Sequence, residues 1–320
     1  MLEPQVDILL ATYNGERFVG EQIESIQAQT YKNWRLLVSD DCSSDGTLDV
    51  VRNFAADDNR ISVVSEGVRY GGAKDNFFAL MGSSGAPYCM FCDQDDVWLS
   101  EKVEKSLESL RALEGDYGTD TPLLVFSDMK VVDEKLNVIH DSFERSSRFD
   151  PNRLTFRHLL AHNVAAGCCM LFNRALLDVC RRSDGDGAEM HDWWAILAAA
   201  AFGRIVFVDA PLSLYRQHGD NEVGANEYSP LDRAKNMDFM IQQFVLSTVQ
   251  AEAFGVLYGD RLASNDIRSL HEFVKAGGAT SPLRGIFHLV KSGCWKRGAR
   301  KVGQIVAVFK ASSINGKRGC

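Results

Sequence analysis

The sequence predicts an α/β fold built on a largely parallel sheet. Three observations point there. Apolar strand-like runs alternate with helix-period segments through the first part of the chain. Acidic and Asn/Ser/Gly-rich clusters follow several of those runs, at the strand ends where such sheets collect ligands. The 320 residues, 45% hydrophobic and 24% charged, have the make-up of a globular chain with one large core or a core plus an appendage.

The elements follow in order. Val6–Thr12 (VDILLAT) is a strand. Residues 17–29 place Phe18, Val19, Ile23 and Ile26 at helical spacing. Residues 34–39 form the second strand, and SDGT at 44–47 opens a helix through Phe54, with Ser44 or Asp45 as its cap. A third strand spans 61–65, a helix 74–81, a fourth strand 87–92 and a strong helix 100–113, capped at Ser100. The later part is less regular. Residues 123–128 read as a strand ending in an acid, and 163–172 as a loop entering a buried strand. HDWW at 191–194 opens an Ala-rich helix through Phe202, 204–208 is a short strand, and 215–221 is a polar loop. From Pro230 onward the pattern is helical, with 231–254 long and amphipathic.

Composition excludes several function classes. No run of about 18 uncharged apolar residues exists, so no spanning helix is expected. The apolar run near the N-terminus has no basic flank, which argues against a signal peptide. The eight cysteines are therefore expected as reduced thiols. Cys89 and Cys92 form a C-x-x-C, but no second pair completes a zinc site, and both read as core cysteines. The net charge is −8, yet residues 273–320 hold ten Lys/Arg and no Asp/Glu. That tail mixes its basic residues with Ile, Phe, Leu, Val and Trp295. It suits an anionic membrane surface, or a solvated basic helix on an acidic body. The acidic remainder would repel nucleic acid.

The chemistry-bearing residues gather after the strands: TYNGE at 12–16, DDCSSDGT at 40–47 and DQDD at 93–96. Carboxylates this close raise one another's pKa unless a metal or a Lys or Arg compensates them. A structural reading remains beside this, with the acids capping the region near Ser100 and pairing with Lys102. No P-loop pattern is present, and no G-x-G-x-x-G follows the first strand. YGGAK at 70–74 is either a phosphate-facing loop or an ordinary tight turn. Asp192 can complement a helix N-terminus. Trp193 and Trp194 beside it suit a sugar-binding floor.

These motifs together resemble the family 2 glycosyltransferases of the GT-A fold, and within them the rhamnosyltransferase-like branch of bacterial polysaccharide assembly. The residues that carry the resemblance are ATYNGE (11–16), SDDCSSDGT (39–47), CDQDDVW (92–98), NVAAGCCMLFNR (163–174), HDWW (191–194) and YRQHGDNEVGA (215–225). It spans roughly residues 5–225. The resemblance implies a GT-A catalytic domain over 1–228, a mostly parallel mixed sheet flanked by helices. A helical extension with a basic amphipathic tail would follow over 229–320.

It also implies the site. Asp93-x-Asp95 would be the D-x-D of the fold, with Asp95 and His218 facing Mn²⁺ or Mg²⁺ and Asp93 on the ribose or on the metal through water. Thr12, Tyr13, Asn14, Glu16, Asp40 and Gln94 would line the base and ribose, with Asp40 on the pyrimidine N–H. Arg216 would lie near the diphosphate, and Lys74 would approach it or pair with a carboxylate. Asp192 would be the catalytic base, giving inversion at the anomeric carbon. Asp96, Trp98, Asn163, Gly167, His191, Trp193 and Trp194 would shape the sugar or acceptor pocket. The expected activity is transfer from a nucleotide-diphosphate sugar, dTDP-L-rhamnose first among the candidates, to a saccharide, lipid-linked, at the cytoplasmic face of a bacterial membrane. Residues 283–313 would contact that membrane. Two other readings stand beside it: a nucleotidyltransferase that makes sugar nucleotides, and a non-catalytic glycan- or nucleotide-binding module.

Overall fold

A computed structural model describes residues 3–147, 150–219 and 237–318. The chain divides into two compact units that do not follow one another in sequence. The first takes in the described residues of Met1–Asn152, Ala165–Gly185 and Gly203–Ala225; the second those of Arg153–Val164, Asp186–Phe202 and Asn226–Cys320. The division therefore differs from a boundary at 228/229. Two short excursions of the N-terminal part belong with the C-terminal helices.

The first unit holds a nine-stranded mixed sheet. Its strands are β1 (Val6–Thr12), β2 (Trp34–Asp40), β3 (Ile61–Ser65), β4 (Tyr88–Cys92), β5 (Val97–Trp98), β6 (Leu123–Val132), β7 (Val138–His140), β8 (Met170–Asn173) and β9 (Arg204–Arg216). The order is β3-β2-β1-β4-β8-β6-β9-β5, with β7 beside β6. The pairs β1/β2, β2/β3, β1/β4 and β6/β9 are parallel, while β8 runs antiparallel between β4 and β6. The unit's helices are α1 (Val19–Gln27), α2 (Thr47–Asp57), α3 (Ala73–Ser83), α4 (Lys102–Tyr117) and α5 (Phe143–Ser147). The second unit contributes α6 (Phe156–Ala161); α7 (Arg174–Cys180) returns to the first.

Register explains the core. Val6, Ile8 and Leu10 of β1, Leu36 and Val38 of β2, and Met90 and Cys92 of β4 point to one side. They pack on Val19, Ile23 and Ile26 of α1 and Val103, Leu107 and Leu110 of α4. Alternate residues of a strand share a face, so period-2 runs bury one set together. Cys89 and Cys92 lie buried in β4, where burial pushes both thiols up, Cys89 to about 12. They are free core thiols.

Two local expectations change. The helix expected from Ser100 starts at Lys102, and no side chain caps it; the Ser100 carbonyl instead accepts the Thr30 N–H at 2.8 Å. The strand expected to end at Val208 runs on to Arg216. Its register on β6 jumps between Ser127↔Val208 and Asp128↔Pro211. Proline has no N–H for the ladder, and the bulge just before it absorbs Asp209 and Ala210 without ending the strand.

The second unit is helical. It contains α8 (His191–Phe202), α9 (Met237–Tyr258), α10 (Ser264–Gly277), α11 (Pro282–Ser292) and α12 (Ala299–Arg318). The expected 231–254 helix begins at Met237; residues 231–236 lie outside the described residues. From His191 to Ala199 every residue of α8 is buried, as an all-round apolar helix must be. Trp193 donates its indole N–H to the Leu159 carbonyl at 2.6 Å. Trp194 packs edge-on against Phe254 at 5.2 Å and against Tyr258 at 6.0 Å. Both rings are core anchors rather than an open sugar floor. Replacing Trp194 by Ala should lower the unfolding free energy by about 3–5 kcal/mol, as for other buried aromatics, which denaturant titration will read.

Among the described residues no helix is long and apolar enough to cross a membrane.

Candidate active site

The carboxyl ends of β1, β2 and β4 converge, and the loops that leave them are stitched together. Thr12 Oγ1 donates to Asp40 Oδ1 at 2.8 Å, joining β1 to β2. Asp40, fully buried, also accepts from Ser43 Oγ (2.6 Å) and Ser43 N (2.8 Å). A carboxylate has about four lone-pair positions, so acceptor capacity remains on Oδ2. Asn14, at φ +46°, accepts the Ser44 N–H at 2.8 Å, and its own N–H reaches Ser43 Oγ at 2.9 Å. Asparagine tolerates that left-handed backbone better than most residues. Glu16 accepts the Gly46 N–H at 2.9 Å. Asp45 accepts from Glu16 N (3.1 Å) and Thr47 N (3.1 Å), so it binds the first turn of α2 although Gly46 holds the cap position.

Gln94 links this pair of loops to β4. Its side-chain amide makes two 2.9 Å bonds to the Tyr13 backbone, one accepting from N–H and one donating to C=O. An added Cβ at position 15 would stand 2.2 Å from Gln94 Oε1, so any side chain there would push the Gln94 amide off the Tyr13 backbone. Tyr13 is left 47% exposed, with its ring available to a ligand.

The YGGAK loop does not face a phosphate with open N–H groups. Asp41 accepts from Gly71 N at 3.0 Å, from Gly72 N at 2.9 Å and from Tyr70 N. Lys74, in the first turn of α3, pairs with Asp75 at 3.2 Å.

The acidic cluster lies between β4 and β5. Asp95 Oδ2 is 2.8 Å from His218 Nε2, which stands just after β9. The His218 ring packs on Phe18, centroids 4.7 Å apart. Asp96 is fully buried; one oxygen accepts the Arg216 N–H at 3.2 Å, and the Cys168 thiol lies against the carboxylate. Burial, then the Asp95 charge, raises its pKa to about 7, against the opposing pull of Lys102. Lys102 is itself fully buried. Its ammonium donates to the Cys168 carbonyl at 2.5 Å and stands 4.3 Å over the Trp98 ring. A lysine therefore supplies part of the compensation for these carboxylates.

Two expected site residues turn inward. Arg216 is buried; its guanidinium donates to the Asp95 carbonyl (2.8 Å), the Glu134 carbonyl (2.7 Å) and Glu21, and lies 4.7 Å over Phe18. It braces the acidic loop rather than reaching into the crevice. Trp98 is 3% exposed and belongs to the sheet core. Gly167 begins a buried 3₁₀ turn, Gly167–Cys169. Residues 220–225 of the YRQHGDNEVGA motif lie outside the described residues.

Two sets of side chains could hold a divalent cation. Asp93, Asp96 and Cys168 bring ligand atoms within 4.8 Å of one another. The Cys168 thiol, pushed well above its ordinary range by its bond with Cys169 and by burial, is a soft sulfur donor and suits Mn²⁺ or Mg²⁺ poorly. The second set is the pair Asp95 and His218, 2.8 Å apart, a hard oxygen donor and one imidazole, which fits Mn²⁺ or Mg²⁺ better than a thiol does.

In the second unit, Asp192 heads α8, is 8% exposed, and accepts the Trp193 N–H at 2.5 Å. His191 is buried, which depresses its pKa to about 3 and keeps it neutral. Asn163 is half-buried just beyond α6. Sequence reasoning set Lys102 against the acids as a structural alternative, but its burial comes only from the fold. It missed Asp41 as the anchor of residues 70–72, since only the fold supplies those partners.

The fold and this crevice define a GT-A glycosyltransferase. The glycosyl transferase family 2 model matches residues 7–180, and the chain belongs to that family. It is 26% identical over 228 residues to dTDP-rhamnosyl transferase RfbG of Shigella flexneri, covering 68% of this chain and 74% of that one. It is 29% identical over 174 residues to UDP-Glc:alpha-D-GlcNAc-diphosphoundecaprenol beta-1,3-glucosyltransferase WfgD of Escherichia coli, 54% of this chain and 62% of that one. Residues 1–349 of S. aureus TarS in complex with UDP superpose with a TM-score of 0.52 at 16% identity, covering 99% of this chain and 92% of that one. Mannosyltransferase PcManGT from Pyrobaculum calidifontis, in complex with GDP-Man and Mn²⁺, gives 0.56 at 15% identity, covering 99% and 88%. At those identities the two structures speak to the fold alone. Family membership sets aside the nucleotidyltransferase reading.

Proposed function

We propose that this chain is an inverting, metal-dependent glycosyltransferase that moves a sugar from a nucleotide-diphosphate donor to a lipid-linked saccharide during polysaccharide assembly. dTDP-L-rhamnose is the first donor to test, since RfbG is named for it; UDP-glucose, UDP-galactose and N-acetylated sugars follow. The acceptor class follows the WfgD name. The observation that carries the reading is the pairing of Asp95, after β4, with His218, after β9, at 2.8 Å in a family 2 chain.

The chemistry fits these residues. Breaking the bond to the anomeric carbon leaves negative charge on a diphosphate. A divalent cation held by Asp95 and His218 would supply the charge that offsets it. Tyr13 would pack on the base, Asp40 would accept the pyrimidine N–H through its remaining lone pair, and Glu16 and Asp93 would hold the ribose. Asp192 would take the proton from the attacking hydroxyl, and a single displacement inverts the anomeric centre.

Thermal unfolding against UDP, dTDP, GDP and CDP, each with and without Mn²⁺, tests the donor site. A pyrimidine diphosphate with metal should raise stability, by about 2.7 kcal/mol at a hundredfold excess over Kd. No shift at saturation would leave the acidic cluster structural.

The C-terminal helices support a contact with the cytoplasmic face of an anionic membrane over 283–313. On α11, Leu283 (85% exposed) and Phe287 (60%) stand beside Arg284 and Lys291; on α12, Val302 and Phe309 stand beside Lys301 and Lys310. Apolar side chains rimmed by cations suit a headgroup boundary. The double variant L283S/F287S should sediment less with phosphatidylglycerol vesicles than the parent chain; equal sedimentation would count against the contact.

A further inference from the structure

We infer that Phe18 is a positioning residue for the proposed cation site: its ring sets the plane of the His218 imidazole and, through Arg216, the place of Asp95. This deepens the metal-dependent reading above and rests on it.

Phe18 stands where a phenylalanine has no local reason to be. It holds the N-cap position of α1 and makes no side-chain cap bond. Ser, Thr, Asp and Asn are favoured there because their oxygens accept a first-turn N–H, which a benzyl group cannot do. Nor does Phe18 join the sheet core as the rest of α1 does. Val19, Ile23 and Ile26 enter the apolar cluster with β1, β2 and β4, and Phe18 is not part of that cluster. Yet it is only 8% exposed.

Polar groups gather round it instead. The His218 ring packs on the Phe18 ring with centroids 4.7 Å apart and planes tilted by 31°. The Arg216 guanidinium lies 4.7 Å from the Phe18 centroid, and the Arg17 guanidinium 4.8 Å. Both arginines also meet one residue of the turn after β6. Arg17 pairs with the Glu134 carboxylate at 2.6 Å, and Arg216 donates to the Glu134 carbonyl at 2.7 Å. These contacts close a circuit within the first unit. Phe18 touches His218; His218 Nε2 is 2.8 Å from Asp95 Oδ2; Arg216 donates to the Asp95 carbonyl at 2.8 Å; and Arg216 returns to the Phe18 ring.

The circuit ties three strand ends together, with Phe18 after β1, Asp95 after β4 and Arg216 at the end of β9. An imidazole free to turn about its two side-chain torsions points its nitrogens in many directions. A ring packed against it and an acid at Nε2 restrict those directions. Groups that orient a metal ligand without touching the metal change its affinity by about 10–100-fold. The face of an aromatic ring also attracts a guanidinium, so Phe18 keeps Arg216 where its donors reach the acidic loop. Leucine or methionine would replace much of the apolar bulk but offers neither a flat face nor a quadrupole.

The test reads the Mn²⁺ concentration that gives half the thermal shift of the full chain with dTDP, and again with UDP. Phe18→Leu and Phe18→Met should each need about tenfold more Mn²⁺ than the parent, or more. Phe18→Tyr keeps the ring and should stay near the parent value. Phe54→Leu removes a ring from α2, where it packs against the sheet core, and should leave the Mn²⁺ requirement unchanged. Melting in EDTA without nucleotide checks the fold of each variant. A parent-like Mn²⁺ requirement in Phe18→Leu or Phe18→Met would overturn the inference, making Phe18 a packing residue while the metal reading stands. Equal weakening in Phe54→Leu or in Phe18→Tyr would overturn it too, as would failure of both Phe18→Leu and Phe18→Met to fold. No Mn²⁺-dependent shift in the parent with either nucleotide is a different result: it removes the metal reading itself, and the role of Phe18 with it.

Discussion

Asp192→Asn should reduce transfer by about 10²–10⁴-fold while leaving nucleotide binding at its parent level. The substitution is close to isosteric. The amide oxygen can still accept the Trp193 N–H that Asp192 Oδ1 accepts now, so the head of α8 keeps its bond. A neutral side chain forfeits only the favourable interaction of a carboxylate with a helix N-terminus, about 0.3–1 kcal/mol. What disappears is the basicity. The two measurements, turnover with a sugar nucleotide and calorimetric binding of the nucleotide alone, separate a base from a structural cap. Full turnover in the variant would remove Asp192 from the chemistry. Equal loss of nucleotide binding would make it a binding or folding residue.

Asp95→Ala should abolish the metal-dependent part of nucleotide binding. It removes the carboxylate that meets His218 at 2.8 Å and leaves the imidazole without that acid. Asp96 cannot take over, because it is fully buried and one of its oxygens is committed to the Arg216 N–H. In the thermal series, the stabilisation of about 2.7 kcal/mol expected at a hundredfold ligand excess should fall to the metal-free level. His218→Ala should move the same way. A preserved Mn²⁺-dependent shift in Asp95→Ala would relocate the metal to Asp93 and Asp96.

The parallel half of the sheet was legible because its strands are short apolar runs punctuated by Asn, Asp, Ser and Gly. The run VDILLAT became β1 over the same residues. The crevice was legible for the same reason, since strand ends carry their loops to one edge. Tertiary partners were not. Arg216 and His218 read alike as polar loop residues. The bulge at Pro211 extends β9 as far as Arg216, and its guanidinium is then drawn beneath the acidic loop. Trp193 and Trp194 read as a platform because a sequence cannot say which side of a helix is covered; in α8 every side is. The interleaved units were hidden as well. Residues 153–164 and 186–202 carry no boundary composition, and only packing assigns them to the C-terminal helices.

Asp41 has a consequence for selectivity. Its carboxylate occupies the backbone N–H groups of residues 70–72, the kind of concavity that elsewhere captures phosphate. A tethered competitor of this kind acts at an effective concentration that free ligands at millimolar levels do not match. The chain thus carries its own inhibitor for that loop. Triphosphates and free phosphate should find no foothold there, and the diphosphate of the proposed donor would be left to the acidic cluster after β4.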